Sequence, residues 1–503
     1  MFERANEPHG DDRCDRKNGS SGHGLDLHLE LSSGAGLRSG LETALRDAVR
    51  DGRLAPGTRL PSSRALARDL GLARNTVAEA YGQLVAEGWL TARQGSGTRV
   101  APGARPQQPV STSVALAFPD QAAGTHLPYD LRPGKPDLSS FPRTAWVAAT
   151  RQAMAKAPHD AFGYTDPRGR VELREALAEY LSRVRGVRAN PDLILVCTGY
   201  VQAIGLLGRV LAERGGQRIA VEALGFSDTR TVLRESGLAT TDLPVDEYGA
   251  DIGSLADVGA DAVLLTPAHQ FPSGVALSPE RRTAAVEWAH ATGGVVIEDD
   301  YDGEFRYDRQ PVGALQGLDP ANVVYAGTAS KSLAPGIRLA WLVLPERLME
   351  PLVRQKRFAD RQSPVVDQLA LAELIVGGAY DRHVRRMRSR YRLRRDRLVS
   401  ALATRAPGVR VSGIAAGMHV VVELPDGYPS EGELIERAAR LGLAVTGMHM
   451  YGGTGERGAL VVWVTAHPPT TRSPPRLRRC APPSPPRWGV RSRRAAAGWV
   501  EPF

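Results

Sequence analysis

Apolar residues first recur at helical spacing from residue 37, where Leu37, Leu41, Leu45, Ala48 and Val49 fall on one face. A turn, RLAPGTRLPSS, follows. SRALARDLG and RNTVAEAYGQLVAEG then read as two helices joined near Gly71, with Val77, Tyr81 and Leu84 turned inward at helical spacing. WLTARQGSGTRV closes the stretch as two short strands about a Gly-Ser-Gly turn. Helix, helix–turn–helix and β-wing predict a winged helix over 31–100. Residues 1–30 are polar, Gly-rich and aperiodic, which predicts a disordered segment. Residues 101–127, rich in Pro, Gln, Ala and Ser, read as a flexible linker. Beyond them LILVCTG, RIAVEA, AVLLTP, GVVIEDD, NVVYAGT and LAWLVLP alternate with helical stretches. Near-continuous apolar strands separated by helices predict an α/β domain over 128–465, its mostly parallel or mixed sheet covered on both faces. From 466 to 503 the pattern fails, and the chain becomes a Pro/Arg-rich tail without predicted regular structure.

A chain of 503 residues exceeds one core and fits two or three domains. With 42% hydrophobic and 24% charged residues the composition is that of a soluble protein. No apolar run reaches the length of a membrane span, and the first 24 residues lack the apolar core of a signal peptide, so the cytoplasm is the expected compartment. Cys14, Cys197 and Cys480 are too scattered for a disulfide framework or a zinc site. The net charge of +9 is weak support for nucleic-acid binding, because eight tail arginines face only Glu501. Local pattern has to carry that inference.

In a helix–turn–helix the second helix enters the major groove with its first residues at base edges. Those residues here are Arg74, Asn75 and Thr76. Arg grips guanine bidentately, Asn grips adenine, and Thr meets a phosphate or a thymine methyl. Arg64, in the first turn of the preceding helix, is placed for a phosphate, and Gln94-Gly95 at the wing tip for the minor groove. The competing reading is a small helical domain with a solvated basic face. The stretch GRLAPGTRLPSSRALARDLGLARNTVAEAYGQLVAEGWLTARQGSGTRV resembles the GntR family of winged-helix regulators. The resemblance implies binding to a double-stranded DNA operator. Ala73 departs from the family, which has a capping serine or threonine there, at an expected local cost of about 1 kcal/mol.

Only five of the 64 basic side chains are lysines, and one of them, Lys331, lies in TASKSLAPGIRLAW. An amine, unlike a guanidinium, can lose its proton and attack a carbonyl carbon to form a Schiff base. An ordinary surface lysine is the alternative. Parallel α/β sheets place ligands at the carboxyl ends of their strands. One such strand ends in Glu298, Asp299 and Asp300, and the strand NVVYAGT delivers Lys331 some 30 residues later. A scarce amine and a carboxylate in one crevice are what pyridoxal 5'-phosphate needs: the lysine forms the aldimine and the acid keeps the pyridine nitrogen protonated. Arg338, Thr328 and Ser330 are candidate phosphate ligands, and the strand-to-helix turn at Gly199 offers backbone N–H groups to the same anion. EDDYDG also spaces oxygens like a calcium loop, but the closing acidic position is Arg309 and a strand precedes it, which argues against a metal.

The motifs LRPGKPDLSSFPRTAW, FGYTDPRGRVELREALAEYLSRVRGV, TPAHQFPSGVALSPERR, IEDDYDGEFRY and SKSLAPGIRLAWLVLP resemble fold-type I aminotransferases. Joined to the winged helix, they are similar to the MocR subfamily of GntR regulators. The resemblance implies Lys331 as the aldimine lysine, Asp299 as partner of the pyridine nitrogen and Tyr301 as donor to the ring hydroxyl. It also implies Arg338 at the phosphate and Phe226 near the ring face, with Tyr301 and Phe226 as plain core aromatics the alternative. Tyr200 departs from the small residue usual beside the phosphate turn, and EALGF replaces the usual EDPGY. In RGALVVWVTAHPP no arginine lies inside the strand, where these enzymes carry the one that grips a substrate carboxylate, and no amphipathic helix follows. The abrupt turn to Pro and Arg points to an altered terminus, for which a shifted reading frame is one cause. The implied function is a regulator that responds to pyridoxal phosphate, or to an amino compound as small-molecule effector, and acts as a homodimer without a membrane partner. A competent aminotransferase and a cofactor-free scaffold are the alternatives.

Overall fold

The computed structural model describes residues 29, 36–104, 127–307, 312–414, 416–453 and 458–465. The expected disordered N-terminus apart from Leu29, residues 105–126 of the expected linker and the whole tail after 465 lie outside the described residues. The chain divides into two compact units, Met1–Gly124 and Thr125–Phe503.

In the first unit α1 (Leu37–Arg50), α2 (Ser63–Leu70) and α3 (Arg74–Ala86) precede the antiparallel strands β1 (Leu90–Arg93) and β2 (Gly97–Val100). Ser62 caps α2 by accepting the Ala65 N–H, and Gly71, in the left-handed region at φ 67°, ends it and turns the chain toward α3. Leu41, Leu45, Leu66, Val77, Tyr81 and Leu84 meet in one core. Each large apolar side chain fully buried there contributes about 1.5–3 kcal/mol. Leu37, at the first position of α1, is 63% exposed. One boundary needs correction. Ala101 and Ala104, assigned to the linker, are buried in this core, and the Ala101 N–H donates to the Trp89 carbonyl, so the packed unit outruns the composition boundary.

The second unit is built on a seven-stranded sheet: β3 (Ile194–Cys197), β4 (Arg218–Glu222), β5 (Ala239–Leu243), β6 (Ala262–Leu265), β7 (Val295–Asp299), β8 (Val323–Thr328) and β9 (Ala340–Val343). Its spatial order is β3-β9-β8-β7-β6-β4-β5. β9 runs antiparallel to both its neighbours, and the remaining pairs are parallel. Strand alternation sends successive side chains to opposite faces. Ile297, Val324, Leu342 and Val221 join Ile204, Leu207 and Leu348 on one face, while Val296, Val323 and Val263 join Ala285 and Ala289 on the other. Both faces being covered explains why the strands read as unbroken apolar runs. A smaller antiparallel sheet follows, in which β10 (Arg410–Ser412), β11 (His419–Glu423), β12 (Thr446–Gly447) and β13 (Ala459–Trp463) lie in the order β10-β11-β13-β12. Its residues share a core with Phe271, Phe305, Met387 and Tyr391. Among the described residues no helix is long and apolar enough to cross a membrane.

Candidate functional site

β7 and β8 are parallel neighbours, paired Asp299 to Ala326, so their carboxyl ends open at the same edge of the sheet. The three acids at the end of β7 go three ways. Glu298 is fully buried and accepts the N–H groups of Leu315 and Gln316 at 2.8 and 2.9 Å. Asp300 pairs with the buried Arg185 guanidinium at 2.7 and 3.0 Å and accepts the Tyr325 hydroxyl at 2.8 Å. Asp299 alone of the three lines a cavity of about 290 Å³, together with Lys331. The oxygens of the EDDYDG stretch therefore diverge instead of converging on a calcium ion.

Burial pushes the Asp299 carboxyl up to about 7, with Asp300 and Glu222 adding to the rise and Tyr200 and Lys331 opposing it. Its Oδ1 is buried and has no hydrogen-bond partner among the described residues. The Tyr200 hydroxyl faces that carboxyl: burial and the Asp299 charge raise its pKa, and as a neutral donor beside the acid it favours the ionised form of Asp299. Lys331 follows β8 in the short helix α4 (Ala329–Ser332). Burial lowers its ammonium pKa below the usual value, against the pull of Asp299 and Asp302. The Nζ donates to the Gly134 carbonyl at 2.8 Å and stands 5.8 Å from the centre of the Trp463 ring.

Across the cavity, the helix Tyr200–Glu213 starts at Gly199, whose φ of 99° favours glycine. A Cβ at this position would stand 2.7 Å from the Arg338 guanidinium carbon, so only a bare backbone lets that cation lie against the helix start. Arg338 itself takes a left-handed φ of 55°, an uncommon conformation for a non-glycine residue, and its side chain reaches the cavity from there. Thr328 accepts the Ser330 N–H at 3.1 Å as the cap of α4, and its hydroxyl meets that of Ser330 at 2.9 Å. Guanidinium, two hydroxyls and the unpaired N–H groups of a helix start form a cradle for an anion.

Phe226 is 42% exposed, lines the cavity and stacks on Phe271 with ring centres 4.4 Å apart. Tyr301 also lines the cavity, its hydroxyl 3.2 Å from His269 Nδ1. Of the nine expected cofactor-site residues, Tyr200, Phe226, Asp299, Tyr301, Thr328, Ser330, Lys331 and Arg338 line this one cavity, and Gly199 lies against Arg338. Sequence reasoning missed the Gly134 carbonyl, Glu222, Trp463 and His269. Gly134 and His269 lie inside the quoted motifs LRPGKPD and TPAHQFPSG, but nothing in their spacing marks them as neighbours of Lys331 or Tyr301. Glu222 accepts the Thr266 N–H and hydroxyl at 3.1 and 2.5 Å, and burial raises its pKa. Among the described residues one group of ligand-type side chains, His269, Asp302 and His419, lies within 4.8 Å.

In the winged helix Arg64, Arg74, Asn75, Gln94 and Gly95 are exposed and Thr76 is partly covered. Arg64 belongs to the first turn of α2, and Arg74, Asn75 and Thr76 open α3. Gln94 and Gly95 form the tip between β1 and β2. Ala73 precedes α3 without a side-chain cap.

Residues 37–100 match the model of bacterial regulatory proteins, gntR family, and residues 130–452 match aminotransferase class I and II. The pyridoxine biosynthesis regulator PdxR of Corynebacterium glutamicum is 34% identical over 429 residues, 85% of this chain and 91% of its own. The probable rhizopine catabolism regulator MocR of Rhizobium meliloti is 30% identical over 465 residues, 89% and 94% of the two chains. Among solved structures, an archaeal alanine:glyoxylate aminotransferase superposes with a TM-score of 0.62 at 27% identity, covering 69% of this chain and 87% of that one. The chain belongs to the MocR/PdxR-type transcriptional regulators of the GntR family, in which a winged helix–turn–helix is joined to an aminotransferase-like domain.

Proposed function

We propose that this regulator holds pyridoxal 5'-phosphate covalently through Lys331 and changes its hold on operator DNA when the cofactor, or an amino compound reacting with it, occupies the cavity. The observation that carries the reading is the buried Asp299 carboxyl, which shares the cavity with Lys331 and has no ion-pair partner among the described residues. An ionised carboxylate buried without a partner is costly. A protonated pyridine nitrogen is the donor that would offset this cost, and the ring then supplies an electron sink at the aldehyde carbon. Lys331, its proton loosened by burial, supplies the nucleophilic amine, and Gly134 fixes its position. Arg338, Thr328, Ser330 and the helix start at Gly199 hold the phosphate, Phe226 covers a ring face and Tyr301 donates to the ring hydroxyl. Arg74, Asn75 and Thr76 read bases, while Arg64 and the wing tip Gln94-Gly95 fix the backbone and minor groove.

Sensing is favoured over turnover because β13, Ala459–Trp463, carries no arginine and presents an aromatic ring to the amine instead. The test is a gel-shift titration of the purified protein against its own upstream DNA, with pyridoxal phosphate and then candidate amines. Borohydride treatment in parallel should leave a pyridoxyl group on Lys331 and none on Lys331→Ala. An unmodified Lys331, or an affinity for DNA indifferent to cofactor and amines alike, overturns the proposal.

A further inference from the structure

His269 and Asp302, each 2% exposed at the side chain, sit behind the cavity against Tyr301. His269 Nδ1 lies 2.9 Å from Asp302 Oδ2 and 3.2 Å from the Tyr301 hydroxyl. A carboxylate only accepts, so the hydrogen between Asp302 and the imidazole belongs to Nδ1. The Tyr301 oxygen faces that same N–H. It therefore accepts a share of that hydrogen and keeps its own to donate, with Asp302 among the acceptors within its reach in the protein alone. We infer that His269 and Asp302 are a positioning pair whose fixed tautomer keeps Tyr301 a donor into the cavity.

Among the described residues the neighbouring ring, His419, leaves that hydrogen to the pair. The His419 ring packs on His269 with centres 4.7 Å apart, and its Nε2 faces the Pro272 carbonyl at 3.0 Å, which makes Nε2 the protonated nitrogen. Burial holds His419 well below its usual pKa, so it stays neutral beside His269. Burial raises the Tyr301 phenol well above its usual pKa, and Asp302, which also accepts from its hydroxyl, Asp299 and Glu222 add to the rise, so Tyr301 keeps its hydrogen. The Phe271 ring stands nearly perpendicular to that of Tyr301, with centres 6.3 Å apart. Behind the pair, Gly417 at φ 71° brings backbone so close that a Cβ there would lie 2.5 Å from Asp302 Oδ2, and the Tyr307 hydroxyl donates to the Gly417 carbonyl. The imidazole has little room to turn over.

The inference rests on the pyridoxal reading above only for the acceptor, which would be the ring hydroxyl oxygen; the tautomer is a property of the protein alone. Full-length protein labelled with ¹⁵N-histidine, free of cofactor, should show His269 protonated at Nδ1. A His269 protonated at Nε2 alone overturns the inference. In the loaded protein, a donor at the ring oxygen favours its ionised form and lowers the pH at which the chromophore titrates. Tyr301→Phe should raise that midpoint by about one pH unit, the loss of one hydrogen bond to a charged oxygen. Asp302→Asn, which can donate to Nδ1 and so draw the Tyr301 hydrogen back toward His269, should raise it in the same direction. The double variant should move no further than Tyr301→Phe. An unmoved midpoint in Asp302→Asn, or additive shifts, would refute the positioning role. A wild-type protein with no chromophore counts against the cofactor proposal instead, and the ¹⁵N result still decides the tautomer.

Discussion

Asp299 shows how one side chain couples cofactor, charge and stability. A carboxyl whose pKa rises on folding from 3.8 to about 7 binds its proton more tightly in the native state. Stability from this group is intact below the unfolded value and is lost as pH climbs from about 4 to 7, by at most about 4 kcal/mol. Asp299→Asn should therefore raise the melting temperature of the cofactor-free protein at pH 8 and leave it nearly unchanged at pH 4, as calorimetry across that range would show. The same variant should weaken cofactor retention, because an amide cannot balance a pyridinium charge. A Lys331 made scarce by composition could be singled out from the sequence, and so could an acid ending a strand. The choice of Asp299 over Glu298 and Asp300 could not, since it follows from which face of the strand each side chain takes and from Arg185, more than a hundred residues away, claiming Asp300.

At the scale of elements, the helix–turn–helix is legible because capping and turn chemistry are local. Ser62, Gly71 and the inward spacing of Val77, Tyr81 and Leu84 each act within a few residues of chain. The missing cap at Ala73 is equally local. Ala73→Ser should stabilise the winged helix by about 1 kcal/mol, read as a rise in its unfolding midpoint in urea. On the exposed first turn of α3, Arg74→Ala should weaken operator binding by about 1–3 kcal/mol in gel shifts while leaving the cofactor chromophore intact. Equal affinity would remove Arg74 from base reading. The antiparallel course of β9 and the pairing of β11 with β13 had no comparable local signal, because an apolar run does not record the direction of its neighbours.

At the scale of the molecule, two units of different character share one chain, Met1–Gly124 and Thr125–Phe503. A reader of paired half-sites works as a dimer, and so do most domains of the aminotransferase type, which leads us to expect a homodimer. Sedimentation velocity with cofactor present should give about twice the chain mass of 54.1 kDa, and a monomer would count against the homodimer. The Pro/Arg-rich stretch after residue 465, expected to be an altered terminus, lies outside the described residues. What precedes it is a packed strand, β13, whose Val461 and Trp463 are buried.

By itself the sequence determined the class of each unit and singled out a scarce amine and the candidate residues for an anion cradle and a base-reading face, all from short-range patterns of polarity, capping and composition. Tertiary structure decided what depends on chain segments far apart in sequence. It turned Asp299 rather than its neighbours into the cavity, brought Gly134 and Trp463 to Lys331, and laid His269 and Asp302 behind Tyr301. Those meetings arise from packing two faces of a sheet and closing long loops, and no local spacing encodes them.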